Sequence, residues 1–562
     1  FIVTCITLFS LIGVSAEAVK PNIIIMQPDD LAFFDEWGAP PNNPDAGDRT
    51  PITFPSAGLP NIERLREGGL QMMQAYTASP MCGTSRFSTI TSKYPSRSAI
   101  ARAKAEDNNI DRASVVIPNT KLQDVDGMND CSEDNIAATL KRNGYQTAMI
   151  GKWHLSSIAD ESYTYDSAVQ TVQGCGFTHV AGLYIENLTR EEAFFNNYRD
   201  GTFSHNMEWI TYEAIEFIKS SVEPFFLYFN PTVPHRSNSV TAAIRDFSCQ
   251  DTAAGNLGFD PIIEGMTEGY DGCVEYRESI FERGNSEGDY GAIWLDDSVG
   301  ALLTALEEKG ALENTIFLFQ GDHGMDTKGS LYEGGIRIPQ FIHYPAKIEV
   351  GTKFDAPVST IDVGVTMLDF AGIKHEYTVD GISWMDAIGN ADLESYFKND
   401  RCLFFEQEKD RAARCDCDKY LNIFEATPRA STTYKRGNRY GYSVDLFNLF
   451  DMCGGGADYV SEMSTNMEEA SLNLASLAPG KATLLSEVLQ CHNDRTHWKN
   501  EPDFPLCKIT TSNESPTPSP ASHSTPSTPS TPSTSNGFKV SNTSNLFQKS
   551  FFTLILVAII NN

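Results

Sequence analysis

The chain is 562 residues long and 41% hydrophobic, enough for one large domain with a smaller one beside it. Its 74 Asp and Glu against 43 Lys and Arg leave a formal net charge of -31. A phosphate backbone needs a basic footprint, so this balance speaks against nucleic acid as a partner and says nothing about the active site.

Residues 1–16 form an apolar run that ends in small residues and is too short to span a bilayer, so a signal peptide is expected over residues 1–18. Asn22-Ile23-Ile24-Ile25-Met26 reads as a buried strand running into Gln27-Pro28-Asp29-Asp30. Ser132 is a candidate N-cap for a helix that ends at Gly144, and a strand through Thr147-Ala148-Met149-Ile150 follows. Phe225 to Phe229 reads as another strand, closed by Asn230-Pro231. Leu295, Val299, Leu302, Leu303 and Leu306 make one apolar face of a helix that stops at Gly310. The strand Thr315 to Phe319 then enters Gln320-Gly321-Asp322-His323-Gly324.

Strands alternating with helices predict an α/β fold, a doubly wound and mostly parallel sheet flanked by helices, over residues 19–350. Residues 351–508 have weaker patterns and several Cys, and are expected to form a smaller C-terminal α+β domain. Ser, Thr and Pro dominate residues 509–537, a composition that cannot bury a core and reads as an O-glycosylated stalk. Residues 538–562 end in the apolar stretch Phe551 to Ile560, interrupted upstream by Gln548, Lys549 and Ser550. Small residues at Ser535-Asn536-Gly537, a polar spacer and a short apolar end fit a glycolipid (GPI) anchor signal better than a span, which needs ~20 apolar residues. The expected location is the secretory pathway and the cell surface, with the membrane reached through that anchor. Apart from Cys5 and Cys82, the cysteines are Cys131, Cys175, Cys249, Cys273, Cys402, Cys415, Cys417, Cys453, Cys491 and Cys507, an even set that reads as disulfides. Asn187-Leu188-Thr189, Asn513-Glu514-Ser515 and Asn542-Thr543-Ser544 are glycan acceptor sequons.

Ligands of such sheets collect at the carboxyl ends of the strands. Three predicted strand ends carry Asp29 and Asp30, Lys152 and His154, and Asp322 and His323, with His235 soon after a fourth. Convergent carboxylates bind hard divalent cations, and calcium tolerates irregular coordination better than magnesium. In Ser79-Pro80-Met81-Cys82-Gly83-Thr84-Ser85-Arg86, a Cys stands four residues before an Arg in a turn that opens a helix. Amide donors and a cation there suit an anion-binding nucleophile. On these residues alone, Cys82 fits a buried thiol or half a disulfide as well, and Asp29-Asp30 a turn.

Taken together, these stretches resemble the sulfatase family, which has the alkaline phosphatase superfamily fold. Its first motif is Cys or Ser, any residue, usually Pro, any residue, Arg, matched by Cys82 and Arg86 with Thr84 in place of Pro. Its second appears as Gly144-Tyr145-Gln146-Thr147-Ala148-Met149-Ile150-Gly151-Lys152-Trp153-His154-Leu155. The resemblance continues through Asn230-Pro231-Thr232-Val233-Pro234-His235, Gly321-Asp322-His323-Gly324 and Lys328 to Pro339. Val444-Asp445-Leu446-Phe447-Asn448-Leu449 looks like the family's C-terminal strand region.

That resemblance implies a sulfuric ester hydrolase acting on sulfated small molecules or carbohydrates. Cys82 would be oxidised to formylglycine by a formylglycine-generating enzyme, its hydrated aldehyde supplying the attacking oxygen. Asp29, Asp30, Asp322 and His323 would hold one calcium ion (Ca2+) against the group derived from Cys82. Arg86 would fix the formylglycine, and Lys152 would contact it and the sulfate. Lys328 and His235 would bind the sulfate and help protonate the leaving oxygen, while His154 would take a proton to regenerate the aldehyde. Thr84 bears on how Cys82 is converted. The alternatives are a phosphodiester or phosphonate ester hydrolase on the same fold and a catalytically inactive surface-anchored binding protein.

Overall fold

Asn22–Met26 (β1) is buried at every position, as a strand covered on both faces must be. It lies at the middle of an eight-stranded sheet in a computed structural model that describes residues 19–31, 34, 55–107, 120–123, 131, 134–157, 164–186, 204–235, 239–325, 328–422, 447–451, 479–494 and 507. The other strands are Leu70–Tyr76 (β2), Gln146–Lys152 (β3), His179–Tyr184 (β4), Phe225–Asn230 (β5), Thr315–Gln320 (β8), Gln340–His343 (β9) and Thr352–Ser359 (β10). Asp251–Thr252 (β6) and Gly255–Asn256 (β7) form a separate short pair. The sheet order is β10-β2-β9-β8-β1-β5-β3-β4, and pairing is parallel except on the two sides of β9. This is the expected doubly wound sheet, with helices flanking it.

Two helix boundaries show what local chemistry decides. Ser286 caps Glu287–Lys309 by accepting from the Asp289 amide, and Gly310 ends it in the left-handed region at φ 72°. The helix expected from Ser132 begins later. Asn135 caps Ile136–Arg142 by accepting from the Ala138 amide at 3.1 Å, and Ser132 lies outside the described residues. An Asx side chain at this position satisfies a first-turn amide as well as a serine would.

The expected boundary after residue 350 falls inside the large sheet. β10 pairs in parallel with β2, and the helix Thr360–Phe370 that follows packs against Cys82–Thr91 (α2). The smaller sheet starts at Cys402–Gln407 (β11) and continues antiparallel through Asp410–Cys415 (β12), Asp418–Asn422 (β13) and Phe447–Asp451 (β14). The helix Pro479–Asn493 packs on it, with Leu485, Val488 and Leu489 clustered against Phe404, Ala413 and Tyr420. These elements make up the smaller C-terminal domain. Residues 1–18, the Ser/Thr/Pro tract and the unit formed by residues 510–562 lie outside the described residues, as do the three sequons' acceptor asparagines. No described helix is long and apolar enough to cross a membrane.

Disulfides join Cys131 to Cys175, Cys249 to Cys273, Cys402 to Cys415 and Cys491 to Cys507, and Cys417 is also disulfide-bonded. Cys82 is the free cysteine among the described residues.

The two sheets meet over buried charge. Glu333 accepts from Lys419 of β13 at 2.8 Å and from the Tyr76 hydroxyl of β2 at 3.0 Å, and Arg414 of β12 donates to the same hydroxyl. Burial alone would raise the Glu333 carboxyl, but Lys419, Arg414 and Arg337 outweigh it and bring it down to about 2. Burial also draws Lys419 down, and the repulsion of Arg414 adds to this. We assign the pair's pH response to the carboxylate, because three cations face it. A carboxyl lowered in the folded state stabilises fully above its unfolded value near 4.5 and loses that contribution as pH falls towards 2. Wild type is therefore expected to lose about 3 kcal/mol more than Glu333→Gln between pH 6 and pH 2, read from urea midpoints. Equal losses would show that Glu333 is not held ionised by this junction.

Candidate active site

Cys82 takes the first helical position of α2 after the extended N-cap Met81, and is 3% exposed. First-turn amides favour negative charge at such a position. Its sulfur lies 3.3 Å from His323 Nε2 and 3.5 Å from Lys328 Nζ. Burial pushes the thiol up, but Lys152 and Lys328 prevail and hold it well below the usual thiol range. Thr84, also in the first turn, is buried and donates to Ser79 Oγ at 2.7 Å and to the Met81 carbonyl at 3.0 Å, which ties the turn before the helix.

Four further segments converge on that sulfur, all from the carboxyl ends of parallel strands or the loops beyond them. After β1, Asp30 adopts a left-handed φ of 60° and donates its amide to Asp322 Oδ1 at 3.0 Å. After β8, His323 donates its amide to the same oxygen at 3.0 Å. Gly324 then packs so tightly on the Glu333-Gly334-Gly335 turn that any Cβ would press into the Gly334 carbonyl. At the end of β3, Gly151 has φ 96° and a Cβ there would press into the Asn230 carbonyl of β5. Glycine thereby lets Lys152 reach Asp29 Oδ2 at 2.5 Å. His154 follows at φ 61° and its imidazole interacts with the Cys82 sulfur. After β5, His235 Nε2 stands 3.6 Å from Asp30 Oδ2, and Lys328 Nζ lies 2.6 Å from Asp30 Oδ1.

The electrostatics follow from three carboxylates packed in a dry site. Burial raises Asp29 and Asp30, but His235, Lys152, Arg86 and Lys328 outweigh it at Asp29, and Lys328, His235 and His323 at Asp30, so both end well below the usual carboxylate range. Asp322 is instead raised to about 7 by burial and by the negative charge of Cys82 and Asp29, despite His323 and Arg86. Arg86 is held charged by Asp322 and Asp29 against the effect of burial. Burial lowers His235, and Asp29 and Asp30 reverse this to leave it raised. Burial and the charge of Lys152 lower His154 to about 3.

The ligand atoms of Asp29, Asp30, Cys82 and His235 lie within 4.8 Å of one another, as do those of Cys82, Asp322 and His323. Asp29 Oδ1 is buried with no hydrogen-bond partner among the described residues. Convergent carboxylate oxygens and a buried unpaired acceptor fit a divalent cation. A third group, Cys249, Asp260 and Cys273, offers no thiolates because its cysteines are joined in a disulfide.

All the residues singled out in the sequence meet at this place, with one change of emphasis. Arg86 hydrogen-bonds Asp322 Oδ2 and the Gln27 carbonyl, both at 3.3 Å, and lies 3.6 Å from Asp29 Oδ1. It braces the carboxylates. Sequence reasoning missed the layer beneath, where Gln27 donates to Ser85 and Thr89, Gln320 donates to Thr89, and the Tyr228 hydroxyl donates to Gln27 at 2.6 Å. These buried contacts fasten α2 to β1, β5 and β8. The available signal was a glutamine closing each of two apolar strands, at Gln27 and Gln320.

Comparison with known proteins agrees with this geometry. A family model described as Sulfatase matches residues 21–373. Human steryl-sulfatase is 24% identical over 488 residues, covering 75% of this chain and 76% of that protein. An arylsulfatase of Clostridium perfringens is 26% identical over 452 residues, covering 69% and 87%. A Bacteroides thetaiotaomicron structure, solved in work on the metabolism of multiple glycosaminoglycans, superposes with a TM-score of 0.56 at 18% identity, covering 85% of this chain and 100% of that one.

Chelator-stripped protein is expected to gain thermal stability when calcium is added, by about 2.7 kcal/mol at roughly 100 times Kd. Asp29→Asn keeps the shape, removes one charge and should lose most of that gain in a thermal melt. An equal gain in the variant would place the cation elsewhere.

Proposed function

Since the chain belongs to the sulfatase family and is a sulfuric ester hydrolase, we propose that it cleaves sulfate monoesters of carbohydrates with Cys82 oxidised to formylglycine. The observation that carries this reading is a free, buried Cys82 at a helix N-terminus, ringed by Lys328, His323 and Lys152 and backed by three carboxylates. Family membership supports the modification and a divalent metal, and the three convergent carboxylates support calcium. The oxidised side chain would supply a hydrated aldehyde oxygen as nucleophile; Asp29, Asp30, Asp322 and His323 would hold the calcium ion, which would supply Lewis acidity at that place.

The protein's own residues do the rest. Lys152 and Lys328 stand beside the Cys82 position and neutralise sulfate oxygens as charge shifts to the leaving oxygen. His235, kept protonated by Asp29 and Asp30, serves as the acid that protonates that oxygen. His154, kept neutral by burial and Lys152, serves as the base that takes the proton when the resting site is restored. Two histidines thus divide acid and base roles through their surroundings. Arg86 keeps Asp29 and Asp322 in place.

A carbohydrate substrate is supported by the likeness to the glycosaminoglycan-related structure and by a stalk composition suited to the cell surface. Maturation would involve a formylglycine-generating enzyme in the secretory pathway, and the C-terminal tail would be exchanged for a glycolipid anchor.

Parallel assays with p-nitrophenyl sulfate, p-nitrophenyl phosphate and sulfated monosaccharides test this reading. Sulfate turnover should dominate and vanish in Cys82→Ala. His235→Gln should slow sulfated sugars by about 100-fold, and the nitrophenyl ester much less, because nitrophenolate leaves without protonation. Dominant phosphate turnover would contradict the assignment.

A further inference from the structure

One buried ammonium near the site has no part in the chemistry above. Lys121 is 5% exposed, and burial lowers it even though Glu186 is its ion-pair partner at 3.1 Å. The charge of Lys152 opposes it further. A second buried cation beside a catalytic lysine is costly unless it holds something in place.

What it holds is the backbone of His154. Lys121 Nζ donates to the His154 carbonyl at 3.2 Å. The His154 amide donates to the Ile185 carbonyl at 2.8 Å, one residue before Glu186. On the other side of the histidine, the Leu122 and Gln123 amides donate to the Leu155 carbonyl at 2.8 and 3.2 Å. A functional histidine is ordinarily aimed by a hydrogen bond at its second ring nitrogen. Here His154 Nδ1 is buried and has no hydrogen-bond partner among the described residues. The ring direction therefore depends on a main chain held at φ 61°, a conformation a β-carbon disfavours.

We propose that Lys121, fixed by Glu186, is a positioning residue that clamps the left-handed backbone of His154 and so aims its imidazole at the Cys82 position. The inference rests on His154 acting there. Glu186 ends the β4 side of the clamp and Lys121 closes it from the 120–123 segment, so two chain-distant charges fix the backbone that carries the ring.

The test uses mature protein with formylglycine and calcium content measured in every variant. Lys121→Met is expected to lower kcat on p-nitrophenyl sulfate roughly 10- to 100-fold with KM changed less than about twofold. Lys121→Arg, which restores a donor and the charge, should recover most of the loss. In a His154→Ala background, Lys121→Met should cost almost nothing further, because its effect passes through the ring. If Lys121→Met is not secreted, Glu186→Gln loosens the same clamp at a partly exposed residue and should give the same kcat-only loss. A full additional loss in the His154→Ala background, or parallel falls in kcat and melting temperature without rescue by Arg, would overturn the clamp. Absent sulfate turnover in wild type, or a His154→Ala variant as active as wild type, would instead overturn the reading beneath it.

Discussion

Three carboxylates, Asp29, Asp30 and Asp322, sit almost wholly out of water around one free cysteine, and the rest of the site exists to make that tolerable. Carboxylates at this separation repel strongly in a dry interior. The protein answers with Lys152 and Arg86 on Asp29, Lys328 and His323 on Asp30, and Arg86 again on Asp322. Asp322 is nevertheless raised to about 7, first by burial and then by the negative charge of Cys82 and Asp29. The convergent carboxylate oxygens make the cluster a candidate cation site, and the surrounding lysines make it receptive to an anionic ester.

The sheet makes the convergence possible. Parallel strands β1, β3, β5 and β8 all end on one edge, so residues that are hundreds of positions apart arrive together. Backbone exceptions do the final aiming. Gly151 and Gly324 permit contacts that any side chain would block, and Asp30 and His154 accept left-handed backbones that a non-glycine residue normally avoids. Buried glutamines beneath α2 then fix the helix that presents Cys82. The smaller sheet joins in through Lys419, which anchors the turn containing Glu333 a few residues beyond Lys328, and through Arg414, which donates to the Tyr76 hydroxyl of β2.

Much of this is legible in the sequence, because apolar strands that end in charged residues reveal both the sheet and its functional edge. Asp29, Asp30, Lys152, His154, His235, Asp322, His323 and Lys328 all stand within or just beyond such ends. Other features have no local signature. Asn135 displaced Ser132 as a helix cap because both residue types perform the same task. β10 belongs to the large sheet through a partner, β2, far earlier in the chain, and no periodicity reports that pairing. Lys121 and Glu186 look like solvated surface charges until folding buries the lysine against the His154 carbonyl. Arg86 bonds to Asp322 and the Gln27 carbonyl, a preference that depends on distances alone.

The account stands or falls on the chemical state of Cys82. Trypsin should release the segment Glu67–Arg86 from protein made in a eukaryotic secretory host, and mass spectrometry of that peptide reads the side chain directly. An aldehyde at position 82 that is trapped by a hydrazide, and is lost in Cys82→Ala, is the predicted result. An unmodified thiol in protein that nevertheless turns over sulfate esters would contradict it.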